Sequence, residues 1–182
     1  MEYRHTSVLL EESVEHLRCR PGKTIADCTL GGGGHAEAIL QRIRPGGRLI
    51  GLDKDEEALQ AAKMRLGAFG EAFLPVHADF AFLGRILEEH GIDRIDGCLM
   101  DLGVSGHQLD SPERGFSYHA EAPLDMRMDR SRGLSAYDVV NDYDKKDLAR
   151  VIREYGEERY AARIASAIVR LRTGKPIKTT IE

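Results

Sequence analysis

No apolar run in this 182-residue chain approaches the roughly 18 residues that a membrane-spanning helix needs. The opening, MEYRHTSVLLEES, lacks the basic, apolar and small-residue succession of a secretory leader. A cytoplasmic protein with no membrane partner is the expectation. Cysteine is scarce: Cys19, Cys28 and Cys98 are an odd number without C-x-x-C spacing, so neither a zinc ribbon nor a disulfide framework is indicated. Cys28 and Cys98 fall in apolar runs and read as small buried hydrophobes. Internal repeats and low-complexity tracts are absent. Nor is there a surplus of positive charge, the net being −4, which argues weakly against a nucleic-acid partner. The distribution qualifies that, because residues 1–120 hold 13 basic and 19 acidic side chains whereas the last 35 residues hold 8 and 4. A polyanion would meet the C-terminal part more readily, although solvated helical faces give the same counts.

What is present suits one globular domain, or one and part of another: 42% of residues are hydrophobic and 31% charged. Short apolar runs alternate with helical stretches. KTIADCT (23–29), RLIGLD (48–53), residues 73–77 and IDGCLMDLG (95–103) read as strands, with helices over 36–43, 56–66 and about 82–90. This alternation predicts an α/β fold, a doubly wound parallel sheet with ligands at the carboxyl ends of its strands. Residues 104–133, rich in Gly, Pro, Asp, Ser and Arg, read as a long loop of the kind that carries function. Beyond it, KKDLARVIREY puts Leu148, Val151, Ile152 and Tyr155 on one helical face. EERYAARIASAIVRLR then puts Ile164, Ile168 and Leu171 in register. A first part over 1–104 and a second over 105–182 follow. At the end, TTIE has the Thr179 to Glu182 spacing of a capping box with no helix after it, so the chain reads as a piece of a longer protein.

The chemistry centres on TLGGGGHAEAIL (29–40), where four glycines join a strand to a helix. Such a loop lets backbone approach a ligand closely and aims helix N-terminal amides at it. Gly31, Gly33 and Ala36 fit G-x-G-x-x-A, and Asp53 lies 20 residues after Gly33, as a dinucleotide site would have it; NAD is one candidate. S-adenosyl-L-methionine is the other, favoured by Asp27, an acid four residues before the first glycine that can take an ammonium and would repel a pyrophosphate. A P-loop is excluded, as no Gly-Lys-Ser/Thr follows. Asp53, ending its strand, can accept from both hydroxyls of a ribose or else cap the next helix. Phe80 in HADF can lie on an adenine or in the core. Asp101 closes the fourth strand and can orient an amine, and Gln108 can bond cofactor or substrate; both are equally readable as loop-stabilising contacts.

The segment DLGVSGHQLDSPERGFSYHAEAPLDMRMD, with HTSVLLEE, GGGGHAEAIL, GLDKDEEAL and YGEERYAARIASAIV, resembles the bacterial family that methylates N4 of a cytidine in the decoding centre of 16S ribosomal RNA. The resemblance covers essentially the whole chain. It implies a Rossmann-like, S-adenosyl-L-methionine-dependent methyltransferase core interrupted after the fourth strand by a helical domain that helps bind RNA. Gly33, Gly34, His35, Asp53, Phe80, Asp101 and Gln108 become the cofactor positions, with Asp101 also catalytic. The 16S rRNA of the small ribosomal subunit becomes the partner; no metal is called for, and a homodimer is compatible with the sequence. Gly106-His107 and AEAPLD depart from the family pattern, and members of the family continue well past this end. An NAD-dependent oxidoreductase, or a non-catalytic RNA-binding or assembly module, are the alternatives. Arg114, Arg127, Arg130 and Arg132, with the basic helices after Asp147, can contact phosphate; equally, the arginines can pair with Asp125 and Asp129.

Overall fold

A computed structural model describes residues 8–131 and 133–182, so Arg132 and the first three residues of HTSVLLEE lie outside it. The chain forms two compact units, Met1–His107 and Gln108–Glu182. Among the described residues no helix is long and apolar enough to cross a membrane.

The first unit runs α1 (Leu10–His16), β1 (Thr24–Asp27), α2 (Gly34–Ile43), β2 (Arg48–Asp53), α3 (Glu56–Leu66), β3 (Phe73–His77), α4 (Leu83–Glu89) and β4 (Gly97–Leu99). The strands make one parallel sheet in the order β3-β2-β1-β4. Side chains alternate across it with the two-residue period of a strand. Ile25, Leu49 and Phe73 point to one face, where Ile39, Leu40 and Ile43 of α2 and Leu59, Ala62 and Leu66 of α3 cover them. Ile50, Leu52, Leu74 and Val76 meet Leu83 and Ile86 of α4 on the other. Each fully buried Leu or Ile contributes roughly 1.5–3 kcal/mol, so these two layers fix the register. Pro75, which has no N–H to give, sits in β3, whose one partner is β2.

Helices on both faces of a parallel sheet make the unit doubly wound, as the sequence implies. Strands β1, β2 and β3 step outward in one direction, and β4 returns to the other side of β1. The order therefore reverses between β1 and β4, and in a sheet of this kind the carboxyl ends at that reversal are where a ligand crevice lies. The fourth strand is shorter than expected: it stops at Leu99, not 103. Past Leu99 the ladder gives way to a side-chain contact, with the Asp101 amide donating to Thr29 Oγ1 at 2.7 Å.

Helix α5 (Gly106–Asp110) crosses the division between units. In the second unit, the stretch expected as a long loop is organised around Arg114, which is fully buried and donates to the Arg127 and Met128 carbonyls, both at 3.1 Å. Strand-like contacts between Pro123 and Thr179 hold it to the chain's end. The expected capping box there is half formed: Glu182 accepts from the Thr179 amide at 3.3 Å. Helix α6 (Ala136–Asp142) was not legible; it opens on a capping box whose third position is Asp138, not the usual Glu or Gln. Helices α7 (Lys145–Glu154) and α8 (Ala161–Arg172) pack as a hairpin. Leu148 is buried as expected, but on α8 the buried residues are Ala161 and Ala165, while Ile164 and Leu171 are 38% and 58% exposed. Alanines allow closer helix approach than the branched residues of the expected stripe.

Candidate functional site

The crevice at the end of β1 and β4 is built from three strand-terminal acids and one helix start. Asp27 ends β1 with no solvent exposure. Its Oδ1 accepts from the Thr29 amide at 3.1 Å, while Oδ2 is buried without a partner. Burial pushes its carboxyl up to about 7 despite the opposing pull of Thr29, and the Asp53 and Asp101 charges push in the same direction. An acid in that state is a poor neighbour for another anion and a ready one for a cation.

Asp53 ends β2. Its Oδ2 accepts from the Gly31 amide at 2.8 Å and its Oδ1 from the Asp55 amide at 2.9 Å. Burial raises its pKa above the ordinary carboxyl value, against those two bonds. The capping alternative fails for Asp53, because the N-cap of α3 is Asp55, which accepts from the Glu57 amide. Asp101 is exposed just beyond β4, with its backbone pinned by Thr29. Thr29 thus ties the end of β1 to the residue after β4.

The glycine run turns sharply enough to need its composition. Gly31 and Gly33 have φ of 51° and 81°, and a Cβ on Gly33 would come within 3.0 Å of Leu66 Cδ1. Gly33 caps α2, Gly34 opens it, and the first backbone bond running back from the helix is Glu37 N–H to the Gly33 carbonyl at 2.9 Å. The amides of Gly34, His35 and Ala36 precede that bond and have no intrahelical acceptor, which makes the helix start a seat for negative charge. The His35 ring itself is buried and meets the Val8 carbonyl at 3.0 Å, so the ring anchors the N-terminal segment and only the backbone of His35 is available to a ligand. Phe80 is half-buried in the turn after β3, opened by Asp79, which accepts from the Ala81 amide.

Of the sequence-derived positions, Gly33, Gly34, His35, Asp53, Phe80 and Asp101 all belong to the first unit, on the loop or just past the carboxyl ends of its strands. Gln108 belongs to the second unit, where it is buried in α5. Sequence reasoning missed Thr29. The signal was available: Asp27–Thr29, Asp53–Asp55 and Asp79–Ala81 all have the two-residue spacing at which an aspartate accepts from the chain just ahead of it.

Among the arginines of residues 104–133, Arg114 is buried against carbonyls, and Arg127 and Arg130 pair with Asp125 at 2.7 and 3.5 Å. The pairing alternative holds for Arg127 and Arg130. Arg114, without solvent exposure, cannot meet a phosphate.

The fold is a doubly wound α/β unit with acids at its strand ends and a glycine loop opening a helix, followed by a helical unit. The chain belongs to the MraW methylase family, whose model matches residues 2–182. It is 56% identical over 180 residues to the ribosomal RNA small subunit methyltransferase H of Symbiobacterium thermophilum, covering 99% of this chain and 57% of that protein. With the protein of the same name from Trichlorobacter lovleyi it shares 52% identity over 181 residues, covering 100% of this chain and 58% of that one. The chain therefore spans less than three-fifths of the length of these curated relatives. A solved S-adenosylmethionine-dependent O-methyltransferase from Thermotoga maritima aligns at a TM-score of 0.39 and 22% identity over 43% of this chain and 31% of its own. That likeness is too partial to bear on the fold, which rests on the strand order.

Proposed function

We propose that this chain carries the cofactor-binding part of a cytoplasmic enzyme that methylates N4 of a cytidine in 16S rRNA of the small ribosomal subunit, with S-adenosyl-L-methionine as donor. The observation that carries the reading is the buried, unpartnered Oδ2 of Asp27, on the strand whose glycine loop leads into the free amides of α2. An amino-acid zwitterion fits both: its ammonium offsets the Asp27 charge and its carboxylate takes the helix amides. The residues present thus fit the group. A dinucleotide would bring a pyrophosphate against Asp27, whose proton affinity the Asp53 and Asp101 charges already raise.

Gly33 and Gly34 supply the close backbone approach, Asp53 holds the ribose hydroxyls and Phe80 lies against the adenine. The bound cofactor supplies an electrophilic methyl. The task left to the chain is positioning, which can supply roughly 7–11 kcal/mol of a displacement barrier. The cytosine amine is a poor nucleophile because its lone pair is delocalised into the ring. Asp101, exposed and pinned through its backbone by Thr29, accepts one N–H of that amine and orients it. Methylation at C5 would instead need a thiolate to attack C6. Cys28, the residue after Asp27, is buried and pushed up to about 12, which argues against it in that role. Reaching the amine requires an unpaired or extruded base, hence a single-stranded or locally opened target.

The test is thermal unfolding of the 182-residue chain with each ligand. S-adenosyl-L-methionine at a hundredfold excess over its Kd should stabilise by about 2.7 kcal/mol, and NAD should not; protection by NAD instead would overturn the reading. The short span favours a second reading, a chain that binds cofactor and RNA without turnover. A methylation assay on small-subunit particles separates the two, with Asp101→Ala in the full-length protein expected to abolish product while leaving the fold intact.

A further inference from the structure

Part of the unpaired positive charge of the helical unit gathers at the start of α7 and along α8. Arg150 sits between Asp147 and Glu154, Arg172 donates to the Val140 and Tyr143 carbonyls, and Lys175 pairs with Glu182. Lys145, Arg163 and Arg170, by contrast, make no ion pair among the described residues. These three line an open cleft of about 780 Å³ together with Glu158, Tyr160 and Ala167. Tyr160, Arg163, Ala167 and Arg170 recur at three- and four-residue intervals and so share one face of the helix.

The cleft's composition selects its ligand. Its one carboxylate, Glu158, is engaged by the Tyr160 amide at 2.7 Å. Between the two arginines the floor is small: Ala167, and Ser166, whose hydroxyl donates back to the Ala162 carbonyl. Ile164 is the one bulky aliphatic in the lining and Glu158 its one opposing charge, against three cations, so the balance favours a polyanionic backbone. The Tyr160 ring is 48% exposed, and the Arg159 and Arg163 guanidinium carbons lie 4.6 and 5.8 Å from its centroid. An exposed ring flanked by guanidinium groups is a surface on which an unstacked base lies, and one that a duplex, with its bases already stacked, cannot use.

We propose that this cleft seats single-stranded RNA, with one unstacked base on Tyr160 and phosphates at Lys145, Arg163 and Arg170. It shares no residue with the cofactor positions. It rests on the reading above only in taking the polyanion to be RNA.

The experiment is fluorescence anisotropy of a labelled, unstructured 12-nucleotide RNA with the 182-residue chain between 50 and 200 mM salt. Replacing both arginines (Arg163→Gln with Arg170→Gln) should weaken binding at least tenfold and reduce the salt slope by about 1.4, two phosphates at about 0.7 each on a single strand. Tyr160→Ala should weaken it about five- to a hundredfold with the slope unchanged, and Tyr160→Phe should restore it. Helical circular dichroism, and protection by S-adenosyl-L-methionine, should be unaltered in all three. The proposal is overturned if the double variant keeps the wild-type affinity and slope, if the wild type binds no RNA, or if an RNA duplex binds as tightly. It is overturned equally if polyglutamate displaces the RNA while Tyr160→Ala changes nothing, which would mark a surface for acidic proteins. Loss of cofactor protection with these RNA effects intact would strike the proposed function and leave the cleft standing.

Discussion

At the scale of single residues, Asp27 sets the behaviour of the site. Its folded pKa of about 7 lies above the ordinary 3.8, so between those values the folded chain holds a proton that the unfolded chain has released. The stability it contributes is therefore full below about pH 4 and is lost as pH rises through 7. Asp27→Asn should flatten that decline and raise the Tm of the ligand-free chain at pH 7.5, at roughly 2–4 °C per kcal/mol relieved. Scanning calorimetry of both proteins at pH 5 and 7.5 checks it; a lower Tm at 7.5 would mean that the carboxylate is already compensated. A cationic ligand selects the ionised form, so affinity for S-adenosyl-L-methionine should increase up to tenfold per pH unit approaching 7 and then level, as titration calorimetry can follow. Gly33→Ala meets both a left-handed backbone and Leu66, and should cost about 1–2 kcal/mol of stability together with the ligand. The acids at the strand ends were legible because apolar runs closing on Asp are conspicuous. Thr29 was not, because its role is a contact across 72 positions of sequence to Asp101.

At the scale of elements, legibility follows the distance over which each signal acts. Strands β2 and β3 and helix α3 fall on their expected bounds, since a two-residue or 3.6-residue period closed by Gly, Pro or Asp is local information. Strand β4 came out short because strand length depends on what pairs beside it, which no run of residues states. Helix α6 escaped because it is seven residues long with no fully buried side chain to mark a face. On α8 the period is as expected but the buried face is shifted: Ala161 and Ala165 are buried with Ile168 half-buried, whereas Ile164 and Leu171 are exposed. Ala165→Leu, with no exposure to relieve it, should therefore cost about 1–3 kcal/mol. Leu171→Ala should change stability by no more than about 0.5 kcal/mol. Urea melts of the two variants check the assignment, and the reverse order would restore the expected face.

At the scale of the molecule, charge is divided by task. The acids gather at the strand ends of the first unit, while in the second Lys145 of α7 and Arg163 and Arg170 of α8 line one cleft. Raising salt from 50 to 200 mM should accordingly release RNA while leaving S-adenosyl-L-methionine affinity within about twofold, because a buried carboxylate is poorly screened. Parallel anisotropy and calorimetry on one preparation check this. The three thiols add a practical outcome. Cys98 is exposed, Cys19 is half-buried and Cys28 is buried. Brief alkylation should mark Cys98 first, three positions before Asp101 and within 3.4 Å of the Cys28 sulfur. A fluorophore attached there would be a native beacon beside the crevice, brightening or dimming as cofactor arrives, with no engineered attachment point required.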